Sequence, residues 1–391
     1  MKRTFVPVLA TTALLTVTLA STSALAQKTV KIGVTNVYSG QFADPGAQLD
    51  AGIKLYMQLH GDTVAGAKIQ IIRRDVGGIA PPVAKRLAEE LVVRERVDIL
   101  AGNLLTPNAL AVAGVSKDAE KFTVVMNAAT PIITTKSPYM VRTSLTTSQL
   151  NHHFGEWVAK QGVKNIYTMV TNYGPGTSSG KSFEDAFKKK GGKVVGADKT
   201  PVVNPDFSPF VQRVAEAKPE ALYVWVPGGT QPPALGKALA ERGVTPANTK
   251  IFGQGELTDD AALEAMGKVA LGIITAYHYN VHRDTPLNTR FVKAYRAANN
   301  GRDPDIYSIG GYDGMHLIYE VLKKTGGNTS GKAMIEAAKG MSWESPRGTM
   351  SIDPRTRDVV QTVWIREVKM KDGKPANIII DQIDNAKDPD L

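Results

Sequence analysis

The sequence has no cysteine among its 391 residues, so its fold uses no disulfide and no cysteine is available to carry a lipid anchor after export. It also lacks a concentrated basic face. The formal net charge is +10, yet the only run is Lys188-Lys189-Lys190, and no aromatics interleave with a basic stripe to stack on bases. Nucleic-acid binding is excluded on that ground. The scattered charge reads as solvated helix faces with a mild attraction for anions. No apolar run is long enough to cross a bilayer: the most apolar stretch, residues 5–20, is short and broken by threonine.

That stretch has the layout of an export signal instead. Lys2 and Arg3 precede it, and Ala24-Leu25-Ala26 after it is a small-x-small cleavage sequence followed by polar Gln27-Lys28. Residues 1–26 are expected to be removed, leaving 27–391, enough for two domains of ordinary size. Hydrophobic residues at 42% and charged ones at 21% describe a chain with a proper core. An exported, unanchored protein suits a Gram-negative periplasm. ATP and nicotinamide cofactors are not available there, which disfavours any nucleotide-dependent enzyme, and no cofactor is expected.

Strand and helix patterns alternate along the chain. Strands are predicted at 30–34, 69–72, 98–100 and 123–126, with helices at 47–60, 83–94 and from Thr106-Pro107, where threonine is expected to cap and proline to occupy the first turn. A second set follows. It comprises helices at 149–161, 179–189, 207–217 and 231–242, and strands at 166–170, 194–195, 221–226, 250–252 and 273–277. The unbroken apolar run 221–226 is what a buried parallel strand requires. Long helices are predicted at 287–299 and 307–324, then short antiparallel strands at 348–352, 359–368 and 377–380. Alternation of this kind predicts mainly parallel sheets flanked by helices, and no floppy linker separates the two sets.

Three motifs invite an enzymatic reading. Residues 174–182 approach a phosphate-binding loop, but Pro175 occupies the place of the required glycine and has no N–H to offer a phosphate. The plainer reading is a loop whose following helix N-terminus faces a cleft. Gly176-Thr177-Ser178-Ser179-Gly180 satisfies G-x-S-x-G, with Ser178 as nucleophile of an exported esterase. Residues 172–175, however, separate it from the strand that a nucleophile elbow follows directly. His278 and His282 are four apart, but their segment reads as a strand end entering a loop, with no third metal ligand.

Several segments occur in an order that carries a family signature: Lys31-Ile32-Gly33-Val34 with Tyr38-Ser39-Gly40, the helix opening at 47–52, Ile99-Leu100-Ala101-Gly102, Asn127-Ala128-Ala129-Thr130, Thr171-Asn172-Tyr173-Gly174 and Phe252-Gly253-Gln254-Gly255-Glu256. On them the chain resembles the Leu/Ile/Val-type periplasmic solute-binding proteins of ABC importers over nearly all of its mature length. The resemblance implies an α/β, two-lobed type I periplasmic-binding-protein fold. Each lobe is a mainly parallel sheet flanked by helices, and three crossing segments join the lobes. Residues 27–147 with 277–350 would form one lobe, and 148–276 with 351–391 the other. It further implies a monomer that is not an enzyme, closes on a small carboxylate and passes it to an ABC permease in the inner membrane.

The family's binding positions transfer residue by residue. Thr106, after Leu104 and Leu105, is the hydroxyl nearest the position that holds a ligand carboxylate, and a helix N-terminus there favours an anion. Ala128, Ala129 and Thr130 supply backbone and hydroxyl partners, Tyr173 leans in from the second lobe, and Gly228 faces the cleft. The acidic residue that holds a ligand ammonium is displaced by one: Gly255 stands at the aligned place and Glu256 beside it. The aromatic of the first loop is replaced by Ala43-Asp44-Pro45-Gly46, and the family's disulfide is missing. If Glu256 turns inward, an α-amino acid fits. If it turns away, an acid without an amine fits, its ring walled by Tyr38, Tyr173, Trp225, Tyr277 and Tyr279 as in relatives that take benzoates. Trp225 lies on a buried strand and reads first as core. A sensor presenting the same solute to a membrane receptor is the main alternative to transport.

Overall fold

The computed structural model describes Met1, Lys2, Thr4 and residues 28–389; the export signal read from the sequence otherwise lies outside the described residues. The first sheet is built from β1 (Thr29–Asn36), β2 (Thr63–Val64), β3 (Ala67–Asp75), β4 (Ile99–Gly102), β5 (Thr123–Val125) and β6 (Met140–Arg142) in the order β2-β3-β1-β4-β5-β6. All neighbours are parallel except β2, which pairs antiparallel with β3. Helices α1 (Ala43–His60), α2 (Pro81–Val93) and α3 (Thr106–Asp118) make the crossovers. β1 is buried along nearly its whole length, as an inner parallel strand must be.

The chain then passes through residues 143–146 into α4 (Thr147–Lys160), β7 (Asn165–Thr171), α5 (Gly174–Lys189), β8 (Lys193–Thr200), α6 (Ser208–Ala217), β9 (Ala221–Trp225), α7 (Gln231–Glu241), β10 (Lys250–Gln254), α8 (Asp260–Met266) and β11 (Ile274–Tyr277). It returns with α9 (Pro286–Ala298), α10 (Ile306–Lys324) and α11 (Gly331–Ala338), and closes with β12 (Ser342–Ser345), β13 (Gly348–Ile352), β14 (Val359–Lys371) and β15 (Lys374–Ala386). The second sheet runs β12-β13-β14-β11-β10-β9-β7-β8, with β15 paired to β14. β10, β9, β7 and β8 are parallel, while β14 joins β11 antiparallel.

Helix α10 returns to the first lobe by lying directly on α1. A Cβ on Gly52 would fall 1.9 Å from the Ser308 carbonyl oxygen, and one on Gly311 would fall 2.0 Å from that of Leu49. The two backbones touch because both positions lack a side chain. The fold is therefore two lobes joined by three crossings: 143–146, the stretch after β11, and the stretch after α11. Buried Arg347 stands just past the third crossing, in the turn between β12 and β13. It pairs with Asp313 of α10 at 2.7 Å and donates to the carbonyls of Thr143 and Ser144 in the first.

Several local expectations are corrected. Residues 174–182 are not a loop: α5 starts at Gly174, because Pro175 suits the first helical turn. Ser178 is thus inside a helix, accepting from the Thr147 hydroxyl at 2.9 Å, and occupies no nucleophile elbow. Thr106 does not cap α3; Leu105 holds that position and the Thr106 hydroxyl is used elsewhere. The short strands expected near 194 and 377 are eight and thirteen residues long. Both have alternating or largely exposed faces that apolar-run reading truncates. Residues 342–345, given from sequence to the first lobe, pair within the second sheet.

Candidate functional site

In open parallel sheets the carboxyl ends of the strands leave a crevice in which ligands bind. Here the two sheets turn those ends toward each other. A cleft with about 410 Å³ of empty space, open solvent included, lies between them, reached by the segments that follow β1, β4, β5, β7, β9 and β10. The lobes are closed over it. The Gln41 amide donates to the Val202 carbonyl at 3.3 Å, and a Cβ on Gly229 would come within 2.5 Å of the Gln41 carbonyl oxygen.

On the first lobe the wall is made of Leu105, Thr106, Ala128 and Ala129. The Thr106 and Thr130 hydroxyls are 3.0 Å apart. The loop's carbonyls are turned away from the cavity: Arg142 takes those of Ala128 and Thr130 at 3.0 and 2.9 Å, and the Thr147 N–H takes that of Ala129 at 2.8 Å. Acceptors are thereby removed and donors left. Helix α3 contributes to the same end, since its N-cap Leu105 has no side chain that could satisfy the first-turn N–H groups. Across the cleft α5 repeats the arrangement with N-cap Tyr173, which makes no side-chain cap either. Its Gly174 lies against Thr130 and Thr106, where a Cβ would stand 3.3 Å from the Thr130 hydroxyl. Two uncapped helix N-termini and a hydroxyl pair make an electropositive corner without any cationic side chain among the cavity's lining residues.

The rest of the cavity is aromatic. Tyr173 and Trp225 are tilted against each other with centroids 5.6 Å apart, and Phe42 and Tyr307 complete the walls. Trp225 is 3% exposed, so its core role holds, yet it also lines the cavity, and its buried indole N–H finds no acceptor among the described residues. Gly228 is glycine because a Cβ there would meet the Tyr307 hydroxyl at 2.0 Å.

Glu256 also lines the cavity. It is buried, both carboxyl oxygens accept from the Gln254 amide at 3.0 and 2.9 Å, and burial pushes its pKa up from 4.5 to about 7. The Tyr277 hydroxyl works against that rise from behind. Tyr277 itself is fully buried and supports Glu256 rather than lining the cavity. Tyr38 is not brought to the cavity: its hydroxyl reaches Asp50 at 3.4 Å and its N–H reaches Asp75. His278 and His282 do not form a metal pair. His278 is buried in the second crossing with its pKa held well below the usual range by burial, and no metal-binding group of acidic and histidine side chains occurs among the described residues.

Sequence reasoning missed Phe42 and Tyr307. Phe42 follows β1 in a short 3-10 turn and supplies the first-loop aromatic that the Ala43-Asp44-Pro45-Gly46 segment lacks. Tyr307 enters from the first turn of α10, far away in sequence, and only its place beside the capping Asp305 signals a functional helix start.

The periplasmic binding protein family matches residues 29–374, and the chain belongs to it. A Leu/Ile/Val-binding protein homolog from Brucella melitensis is 40% identical over 98% of both chains. The solute-binding protein of an ABC transporter from Rhodopseudomonas palustris BisB5, solved with 3,4-dihydroxy benzoic acid, is 45% identical. It superposes with a TM-score of 0.90 over 93% of this chain and 99% of that one. Its counterpart from Rhodopseudomonas palustris HaA2, solved with p-hydroxybenzoic acid, is 36% identical with the same TM-score and coverage. The family is one of binding proteins, and the two Rhodopseudomonas palustris relatives are solute-binding proteins of ABC transporters.

Proposed function

We propose that this chain is the periplasmic receptor of an ABC importer for small aromatic carboxylates of the benzoate class. It is made with a cleaved export signal, acts as a monomer without catalysis, and hands its ligand to an inner-membrane permease. The observation that carries this reading is the composition of the cavity. One corner offers two uncapped helix N-termini and the Thr106–Thr130 hydroxyl pair for a carboxylate, and the remaining walls are Phe42, Tyr173, Trp225 and Tyr307. A flat ring with one anionic edge matches both parts, because aromatic faces reward ring stacking while the corner rewards a negative charge. Inward Glu256 also suits a ligand ammonium, as expected for an α-amino acid, but the aromatic walls and the two relatives solved with hydroxylated benzoic acids favour the aromatic acid.

In this reading Thr106, Thr130 and the Ala128-Ala129 backbone hold the carboxylate, Leu105 and Gly228 shape the floor, and Tyr173 closes from the second lobe. The lobe boundaries fall near residues 147 and 277, with the final return to the second lobe before β12. A thermal-shift panel of benzoates against branched-chain amino acids tests the assignment, since a ligand that binds only the folded state raises its melting temperature. Stabilisation by benzoates and none by leucine, isoleucine or valine is expected; the reverse pattern overturns it.

A further inference from the structure

Behind Glu256 runs a chain of buried hydrogen bonds whose polarity is fixed from its far end. The Thr147 carbonyl can only accept, so the group 2.8 Å from it is the Asn151 amide nitrogen, which also donates to Gln254 Oε1 at 2.5 Å and leaves Asn151 Oδ1 to accept from the Tyr223 hydroxyl at 2.6 Å. Ser179 adds a second donor to Gln254 Oε1 at 3.3 Å. Gln254 therefore has only one way to point: its Nε2 faces Glu256 and bridges both carboxyl oxygens. The backing of Glu256 is thus a neutral amide rather than a cation. The buried Arg366 guanidinium directs its terminal nitrogens to the carbonyls of Tyr279 and Gly255 and to the Thr275 hydroxyl.

A carboxylate has about four acceptor sites; the Gln254 amide reaches both oxygens and the Tyr277 hydroxyl bears on the same group. The remaining capacity of Glu256 is presented to the cavity, whose other walls are mostly apolar or aromatic. A bare C–H ring edge placed against it leaves a buried acceptor unmatched, whereas a ring hydroxyl satisfies it. Building on the aromatic-carboxylate reading above, we propose that Glu256 is the specificity-determining residue that accepts a hydrogen bond from a ring hydroxyl, that Gln254 positions it, and that the site takes hydroxylated benzoates in preference to benzoate.

Calorimetric titration of the mature protein with benzoate, 4-hydroxybenzoate, 3-hydroxybenzoate and leucine tests this, using wild type, Glu256→Gln and Gln254→Leu. Wild type is expected to bind at least one hydroxybenzoate about tenfold or more tighter than benzoate, as loss of a buried partner requires. Gln254→Leu and Glu256→Gln are expected to lose most of that preference, read in each protein as the ratio of its hydroxybenzoate and benzoate affinities. A structural role alone does not give the second signature. The wild-type preference should grow between about pH 6 and pH 8 as Glu256 ionises, and the growth should vanish in Glu256→Gln. The groups that share its environment, Tyr173, Tyr223, Tyr277, Tyr307, Asp259 and Arg366, remain in place in that variant. Equal wild-type affinity for benzoate and both hydroxybenzoates, or a preference that survives both substitutions, overturns this inference alone. Binding of leucine and of no aromatic acid overturns the reading of the site and this inference with it.

Discussion

Arg142 Nε lies 2.6 Å from Asp358 Oδ1, and both side chains are buried. The pair ties the end of β6 to the start of the long β14–β15 hairpin. The same guanidinium holds the carbonyls of Ala128, Thr130 and Pro131, so one cation sets the shape of the candidate ligand loop and anchors it to the other lobe's sheet. Removing the anion strands the cation. Asp358→Ala is expected to destabilise the protein by about 3–5 kcal/mol in urea unfolding, the usual cost of breaking a buried pair from one side. It should also weaken ligand binding, because the loop loses its anchor.

Thr106→Ala and Thr130→Ala should each weaken carboxylate binding by about 1.5–3 kcal/mol, the range for hydrogen bonds to a charged group. Their unfolding midpoints should stay close to wild type. The hydroxyls contact each other as well as the proposed ligand, so the double variant should lose less than the sum of the two. Calorimetry of the four proteins measures this, and unchanged affinity in both single variants removes these residues from the site.

Gly228→Ala places a methyl group on top of the Tyr307 hydroxyl. Displacement of Tyr307 into the cavity should lower affinity by about tenfold or more, since overpacking a filled site costs about 1–3 kcal/mol. Adding Tyr307→Phe removes the clashing oxygen and should recover part of the loss. A loss in Gly228→Ala that Tyr307→Phe leaves untouched contradicts this geometry.

Burial raises Glu256 from 4.5 to about 7, Asp259 from 3.8 to about 7 and Asp260 from 3.8 to about 6. A carboxyl whose pKa is higher folded than unfolded binds protons more tightly in the native state. Its contribution is complete below the unfolded value and is lost as pH rises through the folded one. These three carboxyls therefore pull the melting temperature of the unliganded protein down between about pH 5 and pH 7.5, against buried His278, whose lowered pKa pulls the other way. Glu256→Gln, which keeps the volume but cannot ionise, should fall less steeply. Differential scanning calorimetry across that range checks both slopes.

The order of strands and helices was readable because inner parallel strands such as 221–225 are continuous apolar runs and the helices have one apolar face. Thr106 was readable because it adjoins Pro107 at a helix start after a strand end, whereas Tyr173 came from the family resemblance alone, a loop being expected where α5 begins. The rest depended on long-range closure. Phe42 sits in a single turn with no periodicity, and Tyr307 reaches the cavity only because α10 lies against α1 through Gly52 and Gly311. Tyr38 and Tyr277 have the right chemistry in the right loops, but one is drawn to Asp50 and the other is buried behind Glu256. The inward turn of Glu256, one residue out of the family register, follows from Gln254 and a hydrogen-bond chain that starts at Tyr223 on a different strand. No local pattern encodes that.

The most direct test of the account is paired calorimetric titration of the mature protein with 4-hydroxybenzoate and with leucine. Saturable one-to-one binding of 4-hydroxybenzoate with no heat from leucine is the predicted result; tight binding of leucine with none of the aromatic acid contradicts it.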